Sequence, residues 1–117
     1  MSKIKPEIIT RPWGKEFILI RKKNFWVKDI FIKNGHKASL QNHKGRKEIW
    51  IALSGKSAAI LGNKRKNLNP GDVVNINKGQ KHRWIGVHNS RILEIAFGKL
   101  DERDIIRYQD DYGRIVE

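Results

Sequence analysis

Gly35-His36-Lys37-Ala38-Ser39-Leu40-Gln41-Asn42-His43-Lys44-Gly45-Arg46-Lys47-Glu48-Ile49-Trp50-Ile51-Ala52-Leu53-Ser54-Gly55 is the stretch on which the fold reading turns. Gln41 and His43 lie two apart, so an extended strand projects both side chains from one face. Glu48 follows at the start of the next strand, beyond the loop Lys44-Gly45-Arg46-Lys47. From Glu48 to Leu53 one face carries Glu48, Trp50 and Ala52, and the other Ile49, Ile51 and Leu53. Both faces are largely apolar, so both are expected to be covered. The cover is either the N-terminal arm or a second subunit. A homodimer is the favoured expectation, given the general preference for two-fold symmetry.

Outward from this stretch, the chain alternates short strands with turn signals. Strands are expected at Phe17 to Ile20, Phe25 to Ile32, Glu48 to Leu53, Ser57 to Leu61, Asp72 to Ile76, His82 to His88 and Arg91 to Phe97. Breaks fall at Lys22-Lys23-Asn24, Asn34-Gly35, Ser54-Gly55, Gly62-Asn63, Asn69-Pro70-Gly71-Asp72, Lys78-Gly79 and His88-Asn89-Ser90. Regular spacing of this kind predicts an all-β barrel or sandwich. Asp101 to Arg107 is compatible with a helical turn or a short strand. At 117 residues the chain is read as one domain. It divides into an N-terminal arm (1–14), a barrel (15–100) and a C-terminal tail (101–117).

Composition narrows the function classes. The chain has no cysteine, which excludes disulfides and thiolate metal ligands. No apolar run exceeds five residues, and the basic stretch Met1 to Pro6 leads into no h-region, so neither a membrane span nor a signal peptide is read. A cytoplasmic protein is expected. The formal charge of +13 raises nucleic acid as a partner. Its distribution argues against that: residues 1 to 100 carry 22 basic and six acidic side chains, spread through the segments. The one tight cluster, Lys64-Arg65-Lys66, is expected at a turn between strands, and no nucleic-acid motif accompanies it.

Four donors stand out: Gln41, His43, Glu48 and, just after the Lys78-Gly79 turn, His82. Two imidazoles, a carboxylate and an amide oxygen from different strands suit one divalent metal, Zn, Mn, Fe or Ni, without fixing which.

The spacing around these residues resembles the cupins. Their first motif is Gly, five residues, His-x-His, three or four residues, Glu, six residues, Gly; here Gly35, Gln41-x-His43, Glu48 and Gly55 keep that spacing. Their second motif, Gly, five residues, Pro-x-Gly, two residues, His, three residues, Asn, is matched in spacing by Gly71, Asn77-x-Gly79, His82 and Gly86. Fifteen residues separate the two. Nearly the whole chain is also similar to the type II mannose-6-phosphate isomerase cupins, often the C-terminal half of a protein with mannose-1-phosphate guanylyltransferase. The likeness runs through Arg11-Pro12-Trp13-Gly14, Ser39-Leu40-Gln41-x-His43-x-x-Arg46-x-Glu48-x-Trp50, Lys81-His82-Arg83 and Asp104-Ile105-Ile106-Arg107-x-x-Asp110-Asp111-Tyr112-Gly113-Arg114. It implies a double-stranded β-helix barrel, a metal on Gln41, His43, Glu48 and His82, and interconversion of mannose 6-phosphate and fructose 6-phosphate. The chain departs from that family at Lys44-Gly45 and Ile49, where histidines are usual, and at Asn77, where proline is usual.

Aldose–ketose isomerisation needs oxyanion stabilisation, a base near C2 and a cationic clamp for phosphate. Glu94, on the strand Arg91 to Phe97, is the first candidate base, with metal-bound hydroxide as the second. Arg46 joins Glu94 in the expected catalytic set. Arg11, Lys44, Arg46 itself, Lys81, Arg83 and Arg114 are clamp candidates, and Trp50 and Trp84 form either barrel core or the wall of a sugar site. Structural roles compete at several positions. Gln41 could simply hydrogen-bond inside the barrel, and Glu48 could pair with a basic neighbour. His36 and His88 read as surface residues, Trp13 and Trp26 as packing, and Asp110-Asp111 as surface ion pairs. A non-catalytic metal- or sugar-binding cupin and another metal-dependent cupin enzyme, a lyase or dioxygenase, stand beside the isomerase reading.

Overall fold

The computed structural model describes residues 5–114, and among them every regular element is a β-strand. There are nine: β1 (Glu7–Arg11), β2 (Gly14–Arg21), β3 (Phe25–Ile32), β4 (Leu40–Asn42), β5 (Arg46–Leu61), β6 (Lys64–Leu68), β7 (Val73–Ile76), β8 (His82–Gly98) and β9 (Ile106–Gln109). All pairings are antiparallel. β8 is the hub, pairing β3, β4 and β5; β2 and β1 continue beyond β3, β9 beyond β4, and β6 and β7 pair with β5. The curled sheet is a cupin barrel. No helix of the described residues is long and apolar enough to cross a membrane.

Alternation explains which side chains point inward. β3 buries Trp26, Lys28, Ile30 and Ile32 and turns Phe25, Val27, Asp29 and Phe31 outward. On β5 the inward set is Arg46, Glu48, Trp50 and Ala52, and on β8 it includes Ile92, Glu94 and Ala96. An apolar cluster built from Trp13, Ile30, Trp50, Leu68, Trp84 and Ile92, among others, fills part of the barrel. Polar inward residues occupy the rest, and there the site forms.

Two expected turns are bends inside continuous strands. Ser54-Gly55 and His88-Asn89-Ser90 lie opposite each other where β5 and β8 shift register. Gly55 has φ of 70°, and a Cβ on it would stand 2.1 Å from the Asn89 carbonyl oxygen. Only glycine permits that approach, so both strands bend there without breaking their pairing. Lys64-Arg65-Lys66 is likewise not a turn: it lies on β6, exposed, with the turn at Gly62-Asn63 before it. Among the described residues β6 pairs only with β5, and lysine on such an edge discourages strand addition from another chain.

Both chain ends contribute strands. β1, within the expected arm, extends the sheet beside β2 and does not lie over the outer face. In the tail, the stretch Asp101 to Arg107 is mostly neither alternative: residues 101–105 are turn and irregular backbone, and β9 begins only at Ile106 and runs to Gln109. Ile49, Ile51, Leu93 and Ile95 therefore remain only half-buried on the outside of the barrel, with Leu53 exposed.

Candidate metal centre and cavity

β4 brings the two motifs together. It pairs with β8 at Gln41↔His82 and with β9 at Gln41↔Arg107. His43 follows β4 directly, and the turn into β5 is pinned by Asp104, whose carboxylate accepts the backbone N–H groups of Lys44 and Gly45 at 3.0 and 2.8 Å. A Cβ at Gly45 would lie 2.9 Å from the Lys99 carbonyl oxygen, so this turn has little room for the usual histidine.

His43, Glu48 and His82 offer donor atoms all within 4.8 Å of one another, and all three residues are buried. His43 Nε2 is 3.6 Å from Glu48 Oε2, and His82 Nε2 is 3.7 Å from Glu48 Oε1. Each imidazole is anchored from behind. His43 Nδ1 lies 2.7 Å from the Asp104 carbonyl oxygen and His82 Nδ1 lies 2.8 Å from that of Gln80. A carbonyl can only accept, so both Nδ1 atoms carry the proton and both Nε2 lone pairs turn toward Glu48. His82 Nε2 is buried and has no hydrogen-bond partner among the described residues. This donor set fits one divalent cation.

Charge reinforces the fit. Burial pushes the His43 pKa down to about 4, with Glu48 opposing it, and burial also lowers that of His82. Both rings are therefore neutral ligands at pH 7. Burial opposes ionisation of Glu48, yet Arg46 and the two histidines outweigh it and hold the carboxyl below the ordinary range. Arg46 donates to Glu48 Oε2 at 2.9 Å and to His43 Nε2 at 3.0 Å, while Trp50 Nε1 donates to Glu48 Oε1 at 3.0 Å. The Glu48–Arg46 pair expected as an alternative thus coexists with the convergent imidazoles, and a cation must displace Arg46 from His43 Nε2.

Gln41 stands beside this group, its Nε2 3.4 Å from His43 Nε2 and its Oε1 accepting from Ser39 Oγ at 2.7 Å. Turning the amide over would present Oε1 to the centre and leave Nε2 to donate to the Ser39 hydroxyl.

Of the centre, His82 lines a cavity of about 350 Å³, as do its neighbours Gln41, Arg46 and Trp50, whereas His43 and Glu48 do not. Arg11, Arg46, Arg83, Arg114, Trp50, Trp84 and Glu94 from the sequence expectations all line it. Lys44 and Lys81 do not: both are exposed, with Lys81 Nζ 4.1 Å from the Tyr108 ring centroid. Glu94 is buried and accepts from Trp26 Nε1 at 3.0 Å. Burial, followed by the nearby Glu48 charge, pushes its pKa up to about 8. Arg83 Nε donates to the Ala38 carbonyl at 2.7 Å.

Five charged lining residues escaped sequence reasoning: Glu16, Arg21, Lys28, Glu102 and Arg107. Lys28 is buried, donates to Glu16 at 2.8 Å and sits 4.4 Å from the Trp26 ring centroid. Its inward position in the alternation of Phe25 to Ile32 was the available signal. His36 is half-buried and stacks on Tyr112, His88 is exposed, and Asp110 pairs with Arg114 at 2.9 Å.

Comparison with known proteins yields a family and a fold. The family model described as mannose-6-phosphate isomerase C-terminal matches residues 3–110. A mannose-1-phosphate guanylyltransferase of Salmonella typhimurium is 30% identical over 110 residues, covering 92% of this chain and 23% of the relative. A xanthan biosynthesis protein of Xanthomonas campestris is 35% identical over 109 residues, covering 91% of this chain and 23% of the relative. The chain thus spans about a quarter of the length of the curated relatives it matches. Among solved structures, KdgF from Halomonas sp. superposes with a TM-score of 0.74 at 14% identity, covering 83% of this chain and 90% of that one. The capsular polysaccharide assembling protein CapF from Staphylococcus aureus gives 0.75 at 15% identity, covering 91% of this chain and 35% of that one.

Proposed function

Because the chain belongs to the mannose-6-phosphate isomerase C-terminal family, we propose that it is a metal-dependent sugar-phosphate isomerase of the mannose-6-phosphate type. The observation that carries this reading is the pair of imidazoles anchored through Nδ1 and aimed at Glu48, one of which, His82, lines a cavity rich in arginine. Such a cavity suits a small anionic polyol. Sugar phosphates are cytoplasmic metabolites, so the reaction is placed there.

His43, Glu48 and His82, with Gln41 beside them, would hold the ion, and a divalent ion there supplies Lewis-acid charge to the sugar's carbonyl and neighbouring hydroxyl oxygens. Glu94 takes the proton from C2 as the C1 carbonyl accepts the electron pair, giving an enediolate. The same carboxyl returns a proton to C1, and the hydroxyl proton passes from O2 to O1 as the ketose forms. A carboxyl with its pKa near 8 is suited to both halves of this transfer. Arg46 Nη1 is buried without a partner among the described residues and brings positive charge to the enediolate.

Arg46 also carries the second reading. Its bonds to Glu48 and His43 neutralise the centre without an ion, as a non-catalytic sugar-binding cupin would require. Conversion of mannose 6-phosphate to fructose 6-phosphate by metal-loaded protein, lost in His82→Ala, supports the isomerase; a chain that binds the sugar phosphate without turnover supports the alternative.

A second copy of the chain is proposed to cover the half-buried outer face. Cross-strand neighbours Ile49↔Ile95 and Ile51↔Leu93, with Val27 opposite Ile95, form a continuous apolar patch suited to a two-fold contact.

A further inference from the structure

One end of the cavity carries positive charge that the metal centre does not use. Arg107 on β9 is paired in register with Gln41, and Gln41 is paired on its other side with His82. Arg107 and His82 therefore stand two strand spacings apart, about 10 Å, and both line the same cavity. The Arg107 Nε atom is buried and has no hydrogen-bond partner among the described residues.

Its electrostatic neighbours make this orphaned donor more costly. Arg11 and Arg114 both repel the Arg107 charge, and Asp110 is the acid that attracts it. That acid is already engaged, since Asp110 accepts Arg114 Nε and Nη2, each at 2.9 Å. Arg11 is paired with Glu16, which also receives Lys28. Three guanidiniums thus meet where two carboxylates are already committed. The Trp84 indole N–H, on the wall of the same cavity, is also buried without a partner among the described residues. Folded chains rarely leave buried donors unmade, because each forfeits its hydration without return. A dianion with several acceptor oxygens would satisfy this set, and guanidinium geometry favours a phosphate.

We propose that Arg107, flanked by Arg11 and Arg114, is the phosphate subsite of the cavity and holds the phosphomonoester end of a sugar phosphate whose reacting end lies at His82. The assignment rests on the sugar-phosphate reading above and adds its polarity, with phosphate toward β9 and carbonyl toward β8. It moves the clamp away from Lys44 and Lys81. The shared register with Gln41 makes the two ends of the substrate readable by neighbouring strands.

Calorimetric titration of the full chain with mannose 6-phosphate, inorganic phosphate and mannose tests this without turnover. Arg107→Ala is expected to weaken both phosphate-bearing ligands by about 10–100-fold, the loss expected of a charge-assisted hydrogen bond, and to leave mannose unchanged. Arg107→Lys should recover part of that loss. Lys64→Ala, which removes the same charge from β6, should leave affinity within about twofold, as a screened surface charge does. Melting curves of Arg107→Gln verify that the β9 pairing survives. Unchanged phosphate affinity in Arg107→Ala, an equal loss in Lys64→Ala, or a loss seen instead in Lys44→Ala and Lys81→Ala would overturn the subsite. Arg107-dependent phosphate binding by a chain that turns over no mannose 6-phosphate would uphold the subsite and reject the isomerase alone.

Discussion

His43 and His82 face each other across Glu48 with ring centroids 5.1 Å apart, although they belong to separate motifs of the chain. Each ring is fixed by a backbone carbonyl behind it, on Asp104 and Gln80. The carbonyls select the tautomer, the tautomer aims Nε2, and Glu48 supplies the negative charge between the two lone pairs. A metal-binding geometry is thus prepared by hydrogen bonds outside the centre.

Acid should unfold the chain partly through His43. The unfolded residue takes a proton near 6.5, whereas burial makes the folded one refuse it until about 4. The contribution is therefore complete above pH 6.5 and lost as pH falls through 4. Denaturant midpoints measured without metal across that window should fall with pH, and less so in His43→Gln. Metal affinity should fall less through the ordinary histidine range than that of an exposed histidine pair, since burial lowers the pKa of both folded rings.

Glu94 acts with the opposite sign. Its folded pKa of about 8 lies above the ordinary 4.5, so its contribution is complete below 4.5 and lost as pH rises through 8. Glu94→Gln should flatten the alkaline side of the stability profile. The same substitution should lower kcat by roughly 10²–10⁴-fold while leaving metal content intact; a kcat within tenfold of the parent would remove Glu94 as the base.

Lys28 is the buried cation that holds Glu16 in place. Lys28→Ala leaves that carboxylate to Arg11 and should cost about 1–3 kcal/mol in chemical denaturation. Adding Glu16→Leu to Lys28→Met should restore much of the loss. A small effect of Lys28→Ala alone would mean that solvent reaches the pair.

The outer face should set the oligomeric state. Sedimentation is expected to give a dimer for the parent chain and a monomer for Ile95→Lys, a change that places charge at the centre of the apolar patch. A parent chain that sediments as a monomer at high concentration would rule the two-fold contact out.

The centre was legible in the sequence because its spacing is local within each motif. Gln41, His43 and Glu48 lie within one strand–loop–strand unit, and His82 opens a strand after a clear turn. Arg107 was not legible as a site residue, because its place depends on β9 pairing with β4 from far along the chain. Nothing in four residues of strand announces that partner. Lys28 was hidden differently: the alternation of Phe25 to Ile32 puts it on the inward face, but its role shows only once the buried Glu16 is found on the neighbouring strand. Ser54-Gly55 misled because glycine at a bulge carries the same signal as glycine at a turn.

Anomalous diffraction from crystals grown with zinc tests the metal centre most directly. A single peak within about 2.0–2.2 Å of His43 Nε2, His82 Nε2 and a Glu48 oxygen, with Arg46 drawn back from His43, is the expected result. Crystals in which Arg46 still bridges His43 and Glu48, with the zinc bound elsewhere or nowhere, would contradict it.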